Sequence, residues 1–234
     1  YHNLKAAIKL VCTGESDFGV FISHGTVDSG AILDAVRAKE FGALPEAMRA
    51  PAEEAYNALS QTRDGQLCDI IIDRAALEAI ERAGQASDSE LIRQYAELTV
   101  AAADIKTAVR CRRTGKPLEF IRRALAPCAS LDVYQLAKAA AEGDEAISDY
   151  LSLTDYAGAV PALEQSPSAF ERWCDNVIIE SIRPQQFLAF GIGPLAAYIL
   201  GRENEIKTVR IILSGKRNDL PEASIRERVR EMYV

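Results

Sequence analysis

The stretch that decides the fold runs from Glu203 to Lys216 and reads ENEIKTVRIILSGK. A similar stretch, DIKTAVRCRRTGK, occupies Asp104–Lys116, and a third, NLKAAIKLVCTG, occupies Asn3–Gly14. Each places a polar residue and then an aliphatic residue before a lysine, and each reaches a glycine after it. The three lysines stand at positions 5, 106 and 207, at a constant interval of 101 residues. A motif that recurs at one long interval predicts tandem copies of a single domain.

The length of the interval defines the kind of repeat. Solenoid units are usually ~20–50 residues long, whereas about 100 residues is the size of a small domain. Other landmarks support the alignment, since Asp73-Arg74 leads the second copy and Asp175-Asn176 leads the third. We therefore predict three units: residues 1–67 as the C-terminal part of a first repeat domain, 68–166 as a second domain and 167–234 as a third.

Hydrophobic periodicity predicts an all-α, multihelical fold. In the second copy, apolar residues recur every three or four positions and form one face of a long helix over residues 87–113, namely Leu91, Tyr95, Leu98, Ala102, Ile105 and Val109. The matching helix of the third copy starts with Pro194 in its first turn and is predicted to end at Gly215. A separate helix over residues 45–60, in the first predicted unit, is expected to break near Pro51. The one stretch with strand character is Val20–Ile22, and it has no obvious partner.

Composition excludes several classes of function. The formal net charge of −7 argues against electrostatic binding to nucleic acid. The apolar runs are far shorter than the ~20 residues that a membrane-spanning helix needs. Five cysteines, an odd number without any Cys-x-x-Cys pair, indicate reduced thiols in a cytosolic protein.

The repeated motifs resemble one known family. Asn3-Leu4-Lys5, Asp104-Ile105-Lys106 and the stretch 197–216 are similar to the C subunit of V/A-type rotary ATPases and ATP synthases, whose counterpart in the eukaryotic vacuolar enzyme is the d subunit. The resemblance covers the whole chain, and His24-Gly25-Thr26 agrees with the first copy of that family.

The resemblance implies a pseudo-threefold funnel of helical domains that has no active site, cofactor or metal. It implies a central-rotor subunit that couples the membrane rotor ring of proteolipid subunits to the central shaft, during ATP-driven ion transport or ion-driven ATP synthesis. Such a subunit is peripheral to the cytoplasmic face of the membrane and takes no nucleic acid or small-molecule substrate. The family has a further segment before its first motif, so the first domain is expected to be truncated, with Leu4, Ile8 and Val11 short of packing partners.

The repeated lysines have two interpretations, contacts to phosphate or a partner, or pairing with acids of their own domains. Repetition favours the second, because a duplicated domain reuses its own contacts. We predict that Lys106 pairs with Asp73 and that Lys207 pairs with Asp175.

A basic cluster also stands out, formed by Arg110, Arg112, Arg113, Lys116, Arg122 and Arg123. It is interpreted as the solvated end of a helix, where cations are favoured, or as a protein contact. A nucleic-acid site is disfavoured because no aromatic residues interleave for stacking.

Catalytic motifs are weak in this chain. Gly191–Ala196 matches G-x-G-x-x-A in letters, but no strand is predicted before it, so it is interpreted as a turn leading into a helix. Cys111 lies beside arginines that could lower its pKa, but a nucleophile needs a base, and the only histidines are His2 and His24. A helical-repeat adaptor for unrelated partners remains the alternative to the rotor subunit, and an enzyme is the weaker third hypothesis.

Overall fold

The computed structural model describes residues 1–14 and 18–234. Within these residues it contains twelve α-helices, four short 3-10 helices and no β-strand, which confirms the all-α, multihelical prediction. The α-helices are α1 (His2–Thr13), α2 (Ser29–Ala38), α3 (Glu46–Thr62), α4 (Gly65–Gln85), α5 (Glu90–Arg113), α6 (Leu118–Ala124), α7 (Val133–Glu142), α8 (Asp144–Ser152), α9 (Val160–Gln165), α10 (Pro167–Ile182), α11 (Gly193–Arg217) and α12 (Glu222–Arg228). The 3-10 helices are Phe18–Val20, Phe41–Ala43, Ala157–Ala159 and Arg183–Phe187. No helix of the described residues is both long and apolar enough to cross a membrane.

Short polar side chains start several of these helices. Asp28 accepts a hydrogen bond from the Ala31 amide at 2.8 Å, and Asp64 accepts from two amides at the start of α4. Such side chains satisfy amides that have no partner within the helix. At the other end of α1, Gly14 adopts φ 74°, a left-handed conformation that glycine reaches without strain.

Three local predictions were wrong, and two of them fall at a tertiary contact. The helix α3 continues through Pro51, and the Ala47 carbonyl, which a residue at position 51 would otherwise bond, accepts from the Tyr1 hydroxyl at 3.2 Å. The helix α11 continues past Gly215 to Arg217. Val20–Ile22 forms no strand, because Val20 closes a 3-10 turn and the Asn3 side chain bonds the Ile22 backbone.

The first hydrophobic core surrounds α1. Leu4 and Ile8 are fully buried and pack with residues of α2 and α3, and the first half of α4 closes this core with Cys68 and Ile72. The expectation that Leu4, Ile8 and Val11 are short of packing partners is therefore wrong, since Val11 is also partly buried against this core. Three helices that follow α1 in the chain cover it.

The second core repeats this plan around α5. Ile105 and Ala108 are buried against α6, α7 and α8, and α10 closes the core with Phe170 and Cys174. A third cluster is much smaller and joins Leu91, Ile179, Ile182 and Ala197. The pseudo-threefold funnel and the three domain ranges stay predictions, but in both larger cores a long helix is closed by the first helix of the next predicted domain.

The hairpin of α4 and α5 supplies a stability test. A Cβ atom on Gly84 would lie 2.3 Å from the Ala96 Cβ atom. We expect Gly84→Val to lower the free energy of unfolding by about 1–3 kcal/mol, because the two helices would be forced apart. Urea denaturation measures this change. Gly65→Ala at the start of the same helix is the control, because nothing lies within 4 Å of its added methyl group. Equal effects of both substitutions would contradict the close approach.

Candidate functional site

Each repeated motif buries one polar side chain that holds the backbone of a later segment. Asn3 accepts from the Ile22 amide and donates to the Ile22 carbonyl, both at 2.9 Å. Asp104 accepts from the Ala126 amide at 3.0 Å, and Asn204 donates to the Glu231 carbonyl at 2.7 Å. Because the backbone has few other partners in such irregular segments, these bonds fix where the chain returns to its long helix. We call the three side chains the polar clamps.

The clamps correct the alignment of the third copy. Asn3 and Asp104 are 101 residues apart, but Asp104 and Asn204 are 100 apart, as are Gly115 and Gly215. By this alignment the equivalent of Lys5 and Lys106 in α11 is Ile206, and Lys207 is the equivalent of Thr107.

The sequence showed a polar residue in every motif, but its role as a clamp was missed, because no local pattern indicates a bond to a segment about 20 residues away.

Asp104 is the clamp with an unusual charge state. Its side chain is fully buried, and its Oδ2 atom has no hydrogen-bond partner among the described residues. Burial raises the pKa of Asp104 to about 7, although the Ala126 amide and the charge of Arg74 oppose the rise. Amides occupy the other two clamp positions, so a neutral side chain suits this place in the fold.

The lysine predictions are half confirmed. Lys207 pairs with Asp175 at 3.2 Å, as predicted. Asp73, however, pairs with Lys5 at 2.7 Å, and Lys106 has no ion pair within the part of the chain that the structure describes. The prediction for Lys106 was wrong because α1, and not α5, presents its lysine to the Asp73 side of α4. The Lys5–Asp73 pair therefore joins α1 to α4, and the Lys207–Asp175 pair joins α11 to α10.

Asp175 forms the most enclosed ion pair. It is contacted by Arg230 through a bond of 2.8 Å, and the Arg230 side chain is only 8% exposed. Burial alone would raise the pKa of Asp175, but the bond from Arg230 and the charge of Lys207 outweigh it and lower the pKa. Arg230 also donates to the Arg228 carbonyl. Because Arg230 belongs to the C-terminal segment and Asp175 belongs to α10, the pair fastens that segment onto α10.

The carboxylate of Glu97 lines a cleft between α5 and α10 and also binds a backbone segment. Glu97 accepts from the Ser130 amide at 2.7 Å and from the Ala129 amide at 3.1 Å, and the Ser130 hydroxyl contacts the Tyr156 hydroxyl at 2.7 Å. Burial would raise the pKa of Glu97, but these bonds together lower it. The cleft has a volume of about 670 Å³, and Trp173 forms part of its wall. Because the Glu97 carboxylate is bonded to the loop before α7, its role is to order that loop.

The basic cluster is divided among several partners. Arg122 pairs with Glu119 at 3.1 Å, Arg123 pairs with Glu54 at 2.8 Å, and Lys116 lies over the Phe120 ring. Arg110, Arg112 and Arg113 form the last turn of α5, in agreement with the interpretation as a helix end.

The structure also places the cysteine, the histidines and the glycine motif that the sequence analysis considered as reactive or binding groups. Cys111 is buried, and burial raises the pKa of its thiol, although the charges of Lys116 and Arg110 oppose the rise, so the neighbouring cations do not activate this thiol. His2 contacts the Val20 carbonyl, and His24 is exposed. Residues 1–14 and 18–234 contain no group of three or more His, Cys, Asp or Glu side chains placed to hold a metal ion. Gly191–Ala196 leads into α11 from a 3-10 helix, without a strand before it in the described chain.

A group of exposed apolar side chains lies directly before α11. It comprises Phe187, Leu188, Phe190 and Ile192, which we call the Phe190 patch, and Phe187 and Phe190 are 85% and 90% exposed. Contiguous exposed apolar residues mark sites of protein interaction, whereas single ones are ordinary. The surface chemistry of the molecule therefore indicates protein contacts.

Comparison with known proteins decides the family. A model of the ATP synthase (C/AC39) subunit family matches residues 1–228. The chain belongs to this family. It is 24% identical to the C subunit of the V-type sodium ATPase of Enterococcus hirae over 241 residues, which covers 100% of this chain and 72% of that protein. It is 25% identical to the C subunit of the V-type ATP synthase of Thermus thermophilus over 233 residues, which covers 97% of this chain and 70% of that protein. The family resemblance of the repeated motifs is confirmed.

The clamp at Asp104 makes the stability of this C/AC39-family chain depend on pH. The pKa of Asp104 is about 7 in the folded protein and about 3.9 in an unfolded chain, so folding favours the protonated form. Its contribution is complete below pH ~4 and is lost as the pH rises towards 7, by up to about 4 kcal/mol.

We therefore expect Asp104→Asn to have the same stability as the parent near pH 4 and a higher stability at pH 8. Urea denaturation of both proteins across this pH range measures the difference. A constant difference between the two proteins at every pH would contradict the raised pKa.

The Asp175 pair predicts unequal effects of its two cations. Arg230→Met leaves a buried carboxylate without its main partner and should destabilise the C-terminal segment by about 3–5 kcal/mol. Lys207→Met removes a cation that is 55% exposed and should cost about 1 kcal/mol or less. Amide hydrogen exchange in residues 222–234 measures both. Greater loss of protection in Lys207→Met would show that Lys207 is the main partner.

Proposed function

We propose that this chain is a non-catalytic rotor subunit of a V/A-type ATPase or ATP synthase. It couples the membrane rotor ring of proteolipid subunits to the central shaft, during ATP-driven ion transport or ion-driven ATP synthesis. In this role it is a peripheral protein on the cytoplasmic face of the membrane. Its partners are subunits of the same ATPase, and it uses no cofactor, nucleic acid or small-molecule substrate.

The single observation that carries the proposal is the match of the C/AC39 family model to residues 1–228. The two relatives from Enterococcus hirae and Thermus thermophilus are each named as the C subunit of a V-type enzyme. A helical-repeat adaptor with unrelated partners would not need to retain the repeated motifs of that family over its whole length. The alternative is therefore disfavoured.

The physical character of the chain supports a mechanical role. A coupling subunit must transmit torque, which requires a body that resists deformation, and close-packed helices have low compressibility. Clamps and ion pairs add to this by fixing loops and successive repeats to the long helices. Contacts to a ring and a shaft should each bury ~800 Å² or more per partner, with aromatic and arginine anchors inside a polar rim. The Phe190 patch supplies aromatic anchors of this kind.

The test is reconstitution of a V-type ATPase from which its C subunit has been removed. Adding back the complete subunit should restore the coupling between ATP hydrolysis and ion pumping, measured as ions moved per ATP hydrolysed. The purified subunit alone should neither bind nor hydrolyse ATP. A depleted complex that pumps ions normally, or ATP turnover that vanishes on mutation of this chain, would contradict the proposal.

The Phe190 patch sharpens that test with a matched pair of variants. Phe190→Asp should weaken binding to the depleted complex by about tenfold or more, because a charge would enter an apolar contact. Leu153→Asp is the control, because Leu153 is 89% exposed and is not part of the patch. Titration of each variant into the depleted complex measures the affinity. Equal affinities would remove the patch from the interface while leaving the coupling result intact.

A further inference from the structure

Two carboxyl groups of α5 hold the same short segment of backbone between α6 and α7. Asp104 accepts from the Ala126 amide at 3.0 Å, and Glu97 accepts from the Ser130 amide at 2.7 Å. Residues 126–130, which we call the α6–α7 link, belong to no helix, so their amides depend on side chains for hydrogen bonds. The two carboxyl groups lie about two turns apart on α5 and therefore fasten the two ends of the link.

The first repeat shows how a neutral side chain holds such a segment. Asn3 accepts from the Ile22 amide and donates to the Ile22 carbonyl, both at 2.9 Å. A protonated carboxyl group offers the same combination, one acceptor oxygen and one donor, whereas a carboxylate offers acceptors only. The Oδ1 atom of Asp104 already accepts from the Ala126 amide, and its buried Oδ2 atom has no partner among the described residues. A proton on Oδ2 would therefore give Asp104 the bonding capacity of Asn3.

The groups around Asp104 do not neutralise a charge on it. From α4, Arg74 contributes positive charge, but its guanidinium pairs with Glu78 at 2.8 Å. On α5, Glu97 contributes negative charge, which adds to the effect of burial. From the α6–α7 link, Cys128 faces Asp104 as a neutral thiol, because burial raises its pKa to about 12. An ionised Asp104 is thus disfavoured while the link is closed over it.

Glu97 needs the opposite charge state. Burial would raise the pKa of Glu97, but the bonds from Ser130 and Ala129 together lower it. The groups that face it from the loops are Cys128 and Tyr156, and burial raises the pKa of each to about 12, so both are neutral at neutral pH. Glu81 of α4 lines the same cleft, and Arg93 of α5 lines it as well. Glu97 therefore binds the link as a carboxylate, because only the ionised form leaves its oxygens free to accept from two amides.

We propose that Asp104 and Glu97 form a pH-dependent latch on the α6–α7 link, in which neutral Asp104 holds one end and ionised Glu97 holds the other. The proton of Asp104 lies on Oδ2 and donates to a backbone carbonyl of the link, as the Asn3 amide does at Ile22. Loss of this proton releases the Ala126 end, whereas protonation of Glu97 releases the Ser130 end. The proposal does not depend on the rotor function.

The two ends of the latch open in opposite directions of pH. The pKa of Asp104 is about 7 in the closed state and about 3.9 when the carboxyl group is in water. Opening at Ala126 therefore becomes about tenfold more favourable per pH unit between pH ~4 and pH ~7, and levels off above that range. The pKa of Glu97 is lowered, so its end is held above pH ~4 and is released as the pH falls further. The latch is tightest at mildly acidic pH and loosens towards neutral pH.

Amide hydrogen exchange, followed by NMR on the intact 234-residue chain, tests the two ends separately. The protection of the Ala126 amide, corrected for the intrinsic exchange rate, should fall about tenfold per unit from pH 5 to pH 7 and then stay level. The Ile22 amide is the internal control, because the Asn3 amide that holds it does not titrate. The carbon-13 shift of the Asp104 carboxyl group should change with a midpoint near pH 7.

Matched variants assign the effect to the carboxyl group. Asp104→Asn should make the protection of the Ala126 amide independent of pH, because the amide keeps both bonds at every pH. Asp132→Asn is the control, since Asp132 is an exposed carboxylate that caps α7 just beyond the link. The reverse exchange, Asn3→Asp, should give the Ile22 amide the pH-dependent loss of protection that the parent shows only at Ala126.

Three results would overturn the proposal. The first is a carboxyl signal of Asp104 that titrates near pH 4, because the group would then be ionised while the link is closed. The second is a pH-dependent loss at Ala126 that persists in Asp104→Asn. The third is an equal loss at Ala126 and at Ile22 in the parent, because the pH dependence would then belong to unfolding of the whole chain and not to the link.

Discussion

The fold depends on a single buried polar contact that recurs in each repeat. Asn3, Asp104 and Asn204 each extend from a long helix to the backbone of a segment that has no helical partner of its own. Without that contact the buried Ala126 amide would lose its hydrogen bond, at a cost of about 1–3 kcal/mol. The apolar faces of the long helix and of its covering helices can meet only when the returning segment is held in place. The contact therefore sets the arrangement of each repeat.

Charge has a second role, which is to join segments that are distant in the chain. Lys5 and Lys9 bind carboxylates of α4, and the Asp175–Arg230 pair fastens the C-terminal segment onto α10. Partly exposed pairs contribute little to stability, but they fix the position at which two helices cross. For the proposed coupling role, contacts of this kind matter because they resist sliding between neighbouring helices.

The three long helices differ in how much of their surface other helices cover. The helices α1 and α5 are covered by α4 and α10, whereas among the described residues α11 packs against short stretches of α5, α10 and α12. Its covered stripe is narrow, with Gly201 against Tyr233 and Gly215 against Ile225. The Phe190 patch, which directly precedes α11, adds exposed apolar side chains to this part of the chain.

The sequence by itself determined the helical class, the recurrence of the motif and the family, because periodicity, capping residues and motif spacing are local properties. Tertiary structure alone decided that Leu4 and Ile8 are buried, that Pro51 is accommodated within α3, and that Gly215 lies inside α11. It also assigned Asp73 to Lys5 and moved the third repeat by one residue. The burial of Leu4, the accommodation of Pro51 and the pairing of Asp73 each involve a contact between residues distant in sequence, such as Tyr1 with Ala47, and no local pattern encodes such a contact.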